Sequence, residues 1–155
     1  MVCGTRSDMK VDVTSVILIA RPRAEVFGYA CDPDNAKAWY ANITAAQWKS
    51  PKPLAVGSQF AFTARFLGRT LSYTYEVVDL RPGTRFVMRT AEGPFPMETT
   101  YVWEDGPNGT TKMTLRNRGE PSGFSGLAAP VLAKAIKRAN GKDLARLKAV
   151  LESAT

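Results

Sequence analysis

The sequence predicts an α+β fold in which a curved antiparallel sheet of about six or seven strands wraps around a long C-terminal helix. Three observations support this prediction: two short helical patterns directly after an apolar strand-like run, a central series of alternating runs joined by tight turns, and one amphipathic pattern at the end. The 155 residues are enough for one domain. We expect this domain to span 11–155, behind a flexible tail at 1–10.

The N-terminal part combines a strand with two short helices. The run VDVTSVILIA begins at Val11, and RPRAEVFGYACDPDNAKAW follows it. Pro22 suits the start of a helix because its φ is already close to the helical value. Asp32 can accept hydrogen bonds from the free N–H groups of the second helix, and Pro33 stands where no donor is needed. We interpret Trp39 as the anchor of that helix, packed at a sheet edge.

The centre of the chain predicts an antiparallel meander. Because the segment 40–58 holds Pro51, Pro53 and Gly57, we interpret most of it as a loop or a short irregular strand. Five strand-like runs follow, and the turns between them are rich in Gly, Pro, Asn and Asp. The runs are 59–66, 71–80, 84–91, 97–104 and 110–118. Short connections make strands that follow each other in sequence neighbours in the sheet.

Alternation within these runs separates an apolar face from a charged face, as expected for a sheet in water on one side only. The polar groups of the apolar register are hydroxyls and amides, and no carboxylate or amine projects from its middle. The apolar register comprises Phe60, Phe62, Ala64, Phe66, Leu71, Tyr73, Tyr75, Val77, Phe86, Met88, Thr90, Thr99, Tyr101, Trp103, Met113, Leu115 and Asn117.

The C-terminal stretch predicts a helix over about 125–152 that covers this apolar face. Leu132, Ile136, Leu144 and Leu147 recur at helical spacing, with Lys and Arg on the other side. Pro130 is compatible with the first turn. The many alanines of this stretch either leave a void against the sheet or let the helix lie closer to it, and both alternatives remain open.

The charge pattern favours a solvated basic surface over a nucleic-acid interface. The chain has 21 Lys and Arg against 14 Asp and Glu, a net charge of +7, but the basic residues are scattered. No zinc-finger spacing or aromatic RNA-binding strand motif is present. We therefore expect no nucleic-acid partner.

The absence of histidine limits the chemistry of any site. It removes the usual general base and the commonest transition-metal ligand, so we expect neither a metal nor another cofactor. Cys3 and Cys31 form no metal pattern, and we interpret Cys31 as a structural thiol. The sequence shows no signal peptide and no apolar span of about 20 residues, which predicts a cytoplasmic protein without membrane insertion.

The order of the elements describes a helix-grip architecture, and the residues carry a resemblance to a family. The stretch VILIARPRAEVFGYACDPDNAKAWY resembles the opening of the START-like, polyketide cyclase/dehydrase superfamily, also called SRPBCC, and DLARLKAVLE resembles its last helix. The resemblance covers roughly 11–152. It implies a cavity between the long helix and the concave sheet that holds a hydrophobic or aromatic small molecule, such as a lipid, sterol or polyketide.

From this resemblance and the aromatic inner register we expect binding or transport of a small hydrophobic or aromatic ligand by a monomer or weak homodimer. Tyrosine, with a reference pKa of about 10, is a poor base at neutral pH, which favours binding over catalysis. The expected ligand-binding residues are Phe60, Phe62, Tyr73, Tyr75, Met88, Thr99, Tyr101, Met113, Leu115, Leu132 and Ile136.

Two alternatives remain. The first is a polyketide aromatase/cyclase or dehydratase that works without His or metal. An inward Arg or Tyr would polarise a carbonyl; Arg69, Tyr73 and Tyr101 are candidates, but no catalytic residue is assigned. The second alternative is a partner-binding module that meets an acidic protein. Its basic face would comprise Arg65, Arg85, Arg89, Lys112 and Arg116.

Overall fold

The computed structural model describes residues 11–93, 96–120 and 129–153, and within them a seven-stranded antiparallel sheet has the order β1-β7-β6-β5-β4-β3-β2. The strands are β1 (Val11–Ile19), β2 (Ile43–Trp48), β3 (Gln59–Phe66), β4 (Arg69–Arg81), β5 (Arg85–Glu92), β6 (Met97–Asp105) and β7 (Thr111–Gly119). The helices are α1 (Arg23–Ala30), α2 (Ala36–Trp39) and α3 (Ala129–Ser153), with a 3-10 turn at Pro33–Asn35. The predicted helix-grip α+β fold is confirmed.

The boundaries differ from the predicted ones mainly before β3. Part of the segment 40–58 is an edge strand, β2, whose pairing with β3 shifts register between Ile43 and Ala45. The interpretation as a short irregular strand is therefore correct for this part. The predicted tail at 1–10 and the predicted helix start at 125–128 lie outside the described residues. No helix in the described ranges is long and apolar enough to cross a membrane.

The short helices pack at one end of the concave sheet face. Asp32 accepts a hydrogen bond from the Asp34 N–H at 2.9 Å, as expected for a cap between two helices. The Phe27 ring of α1 meets Trp103 of β6 edge to face, with centroids 5.1 Å apart. Trp39 at the end of α2 is fully buried. These contacts close one end of the sheet.

The outer sheet face carries ion pairs between neighbouring strands. Glu98 accepts hydrogen bonds from Arg89 at 2.9 Å and from Arg118 at 2.8 Å, and the hydrogen bond from Arg89 contributes most to lowering the pKa of Glu98. Arg116 donates to Asp12 of β1 at 2.6 Å. Basic side chains of this face are thus compensated by carboxylates beside them.

Helix α3 is attached to the sheet near both of its ends. Near its start, Leu132 packs in an apolar cluster with Leu71 and Met97. In its C-terminal half, the buried residues Leu144, Leu147 and Leu151 join the main core. Between these two attachments, Ala139, Asn140 and Asp143 lie on the side of α3 turned toward the sheet.

Leu147→Ala tests the C-terminal attachment. Leu147 is completely buried, so we expect the free energy of unfolding to fall by about 2–5 kcal/mol, through lost burial and the remaining cavity. Urea denaturation measures this change. The control is Val131→Ala, because Val131 is 55% exposed on the same helix and its truncation should change stability by less than about 0.5 kcal/mol. Equal losses in the two variants would contradict the proposed anchoring.

Candidate functional site

A cavity of about 180 Å³ lies between the middle of α3 and the concave face of the sheet, and we call it the central cavity. Strands β2 to β7, the connection from α2 to β2, and α3 all contribute to its wall. The lining residues are Tyr40, Asn42, Ile43, Phe62, Ala64, Phe66, Leu71, Tyr73, Tyr75, Met88, Met97, Thr99, Tyr101, Leu115, Asn117, Ile136, Ala139, Asn140 and Asp143.

Most of the residues expected to bind a ligand meet at this cavity. Those in its wall are Phe62, Tyr73, Tyr75, Met88, Thr99, Tyr101, Leu115 and Ile136. Of the candidates for carbonyl polarisation, Tyr73 and Tyr101 line it too, whereas Arg69 is exposed at the start of β4. The ligand-binding role of these residues stays a prediction.

Three expected residues lie outside the cavity wall. Phe60 packs edge to face on Trp48, 5.0 Å away, at the end of the sheet closed by the short helices. Met113 is fully buried in the main core, and Leu132 belongs to the first attachment of α3. Strand alternation identifies the face on which a side chain lies, but not how far along that face the cavity extends.

A chain of polar side chains crosses from the sheet to the helix along one side of the cavity. The Thr99 hydroxyl donates to Asn117 Oδ1 at 2.5 Å, and Asn117 Nδ2 donates to Asn140 Oδ1 at 3.0 Å. This chain therefore orients the amide of Asn140.

Asn140 ends this chain with an unused donor. The residue is 5% exposed, and its Nδ2 has no hydrogen-bond partner within the described ranges. Most buried side-chain polar atoms have at least one partner. Asn140 is therefore a residue of the cavity wall whose buried donor lacks a partner.

Asp143 lies one helical turn after Asn140 on the same face of α3 and supplies a carboxyl to the cavity. Its Oδ1 accepts a hydrogen bond from the Ala41 N–H at 2.8 Å, which connects α3 to the start of β2. Burial raises the pKa of Asp143 to about 7, against the opposing effects of the Ala41 N–H and of the Arg146 charge. The group can therefore exchange a proton near neutral pH.

Two phenols occupy the same part of the wall. The hydroxyls of Tyr40 and Tyr101 are hydrogen-bonded to each other. Burial raises the pKa of both phenols well above the ordinary value for tyrosine, and the Asp143 charge raises both further. Both side chains are thus protonated at neutral pH, so they can donate hydrogen bonds but cannot act as bases.

Sequence reasoning missed Tyr40, Asn140 and Asp143 as parts of the site. It examined the strands for ionisable groups and considered the terminal helix only as an apolar cover. A signal was nevertheless available, because Ile136, Asn140 and Asp143 follow each other at spacings of four and three and so share one helix face. Polar residues within an apolar stripe indicate a cavity or a buried network.

No metal-binding arrangement is found within the described ranges, where no three His, Cys, Asp or Glu side chains come together. Cys31 is buried beside α1, and burial raises the pKa of its thiol. A thiol held in the protonated form is a poor nucleophile, which agrees with its interpretation as a structural residue.

The chain matches a known family along nearly its whole length. The family described as polyketide cyclase/dehydrase and lipid transport matches residues 10–152. No curated protein sequence matches significantly.

Solved structures share the fold at low sequence identity. A START superfamily protein from Mycobacterium smegmatis has a TM-score of 0.81 at 13% identity, covering 93% of this chain and 99% of its own. A protein from Thermus thermophilus has a TM-score of 0.79 at 19% identity, with the same coverage. The Zhui aromatase/cyclase from a Streptomyces species has a TM-score of 0.76 at 16% identity, covering 92% of this chain and 94% of its own.

The raised pKa of Asp143 predicts a pH-dependent contribution to stability. Because the folded-state pKa of about 7 exceeds the reference value of 3.8, folding favours the protonated form. This contribution is complete below about pH 4 and is lost as the pH rises through 7. Asp143→Asn lacks this contribution. Between about pH 4 and about pH 7, the free energy of unfolding of the wild-type protein should therefore decline relative to that of the variant. Urea denaturation across the range measures this, and parallel profiles would contradict the assignment.

Proposed function

Because the chain belongs to the polyketide cyclase/dehydrase and lipid transport family, we propose that it binds a small aromatic or apolar molecule in the central cavity. The observation that carries this proposal is the cavity itself, which lies between the two attachments of α3 and opposite the aromatic face of the sheet. Family membership supports hydrophobic ligand binding or a polyketide cyclase role. The geometry of the site favours the first.

The volume of the cavity indicates how large a part of a ligand it can enclose. An engineered protein cavity of about 150 Å³ accepts benzene, whereas pockets for drug-sized ligands measure about 300–1,000 Å³. At about 180 Å³, the central cavity has room for one aromatic ring with a small substituent. A sterol or a long polyketide chain would extend beyond this space. We therefore propose that a ring-sized molecule, or a ring-sized part of one, occupies it.

The lining supplies both affinity and orientation for such a ligand. Phe62, Leu115 and Ile136 offer apolar surface, whose burial with the ligand drives binding. Met88 and Met97 have flexible, polarizable side chains that adapt to ligand shape. The polar groups of the wall, described above, orient one end of the ligand.

A specific observation favours catalysis as the second candidate function. The Asp143 carboxyl lines the cavity beside Tyr101 and has a pKa near neutrality, a suitable value for a general base. In a ring closure, the carboxylate would remove a proton from a methylene between two carbonyls. The resulting carbanion would attack a third carbonyl carbon of the same molecule, forming the C–C bond, and the new alkoxide would take the proton back from the protonated Asp143 carboxyl. Loss of water would then complete the unsaturated ring.

Ligand binding is tested with Ala139→Leu, which fills the cavity from α3. We expect wild-type protein to bind small aromatic compounds such as toluene or acetophenone, with a rise in Tm at saturation. In Ala139→Leu the affinity should fall at least about tenfold, because the added side chain occupies the space of the ring. Isothermal titration calorimetry measures the affinities.

The matched control for this experiment is Ala145→Leu, since Ala145 is exposed on the same helix. We expect its affinity to stay within about twofold of wild type, as for a surface substitution far from the ligand. The binding proposal fails if wild-type protein binds none of the compounds, or if Ala139→Leu and Ala145→Leu bind them equally.

Catalysis is tested by incubating a short poly-β-ketone thioester with the protein and following cyclised and dehydrated products by mass spectrometry. If Asp143 is the base, kcat should fall at least about a hundredfold in Asp143→Asn, with KM little changed. The wild-type rate should rise with pH through about 7, as the carboxyl loses its proton. Product ratios equal to those of a protein-free control would exclude this function.

A further inference from the structure

The polar chain along the cavity wall has a defined direction. Thr99 donates its single hydroxyl hydrogen to Asn117 Oδ1. With its oxygen accepting from Thr99, Asn117 directs its Nδ2 to Asn140 Oδ1. The chain therefore runs from sheet to helix, each group donating to the next.

This direction determines which atom of Asn140 is left without a partner. Its Oδ1 already accepts from Asn117, so the opposite end of the amide is Nδ2, which carries two N–H donors. Asn140 is 95% buried, lines the cavity, and has no partner for Nδ2 within the described ranges. A buried donor without a partner destabilises a protein, and an acceptor on the ligand would remove this cost.

We infer that the ligand of the central cavity carries a neutral carbonyl oxygen that accepts a hydrogen bond from Asn140 Nδ2. The inference rests on the proposed binding function and specifies its ligand class. Ile136 and Ala139 precede Asn140 on the same face of α3 and offer apolar contact to the ring of an aromatic ketone, aldehyde or amide.

The neighbouring Asp143 disfavours an anionic acceptor at this position. It lies three residues after Asn140 on the same face and also lines the cavity. When it is ionised, its negative charge repels a carboxylate bound to Asn140, and the partly buried setting strengthens the repulsion. A neutral carbonyl avoids this repulsion and still accepts the hydrogen bond.

The test compares acetophenone with α-methylstyrene, which has nearly the same shape but a CH₂ group in place of the carbonyl oxygen. The measured quantity is the ratio of the two dissociation constants, α-methylstyrene over acetophenone, from calorimetry on the full chain. We expect this ratio to be about tenfold larger in wild type than in Asn140→Leu, which keeps a branched side chain but lacks the donor.

Two further variants separate loss of the donor from loss of the fold. Asn140→Asp keeps an oxygen that accepts from Asn117 Nδ2. At pH 8 its carboxylate has no donor, so the ratio of the two dissociation constants should also fall below that of wild type. Ile136→Val removes one methylene from the same wall, so it should change both dissociation constants but leave their ratio within about twofold of wild type. The infrared carbonyl band of ¹³C-labelled acetophenone should move to lower frequency in wild type relative to both Asn140 variants.

The outcomes distinguish this inference from the proposed function. If both compounds bind but the ratio and the carbonyl band are unchanged in the Asn140 variants, the carbonyl inference is wrong and the binding proposal stands. If wild-type protein binds neither compound, both fail. A larger ratio in wild type, together with the band shift, supports both.

Discussion

Helix α3 covers the apolar face of a sheet whose other face is in water. The rest of the structure depends on how the helix is attached to this apolar face. Leu132 attaches it near its start, and Leu144, Leu147 and Leu151 attach its C-terminal half. These two attachments set the height of the helix above the sheet. The residues between them include Ala139, which is too small to fill the remaining space, and the polar Asn140 and Asp143. The cavity is therefore a consequence of where the large apolar side chains of the helix are placed.

The polar groups beneath α3 are buried by the same placement of the helix. A group withdrawn from water needs a partner, and the chain from Thr99 through Asn117 provides one for the oxygen of Asn140 but none for its nitrogen. Asp143 has the Ala41 N–H as partner of one carboxyl oxygen, and burial still raises its pKa to about 7. Both groups thus retain a capacity for interaction that a fully apolar cover would lack, and the proposed binding and the alternative catalytic role both depend on it.

The sequence predicted the faces of the sheet better than it predicted the limits of the site. Alternation placed Phe62, Tyr73 and Met88 on the concave face correctly, and β3 begins and ends where its pattern does. The sequence did not define the bounds of strand β2, because two prolines and a glycine follow it closely. In the structure, a register shift interrupts its pairing with β3. Phe60 shares the face of Phe62 but lies under the short helices, a difference that depends on tertiary packing. Asn140 and Asp143 were recognisable only as interruptions of an apolar helix stripe.

The central claim is that the space beneath α3 accepts a ring-sized apolar molecule, and a crystal of the full chain soaked with iodobenzene tests it most directly. We expect one dominant anomalous iodine peak inside the central cavity, in contact with Ile136 and Leu115. An engineered cavity of about 150 Å³ with an apolar lining takes up benzene. Iodine found only on the outer sheet face or at the surface, with the cavity free of added density at saturating ligand, would contradict the claim.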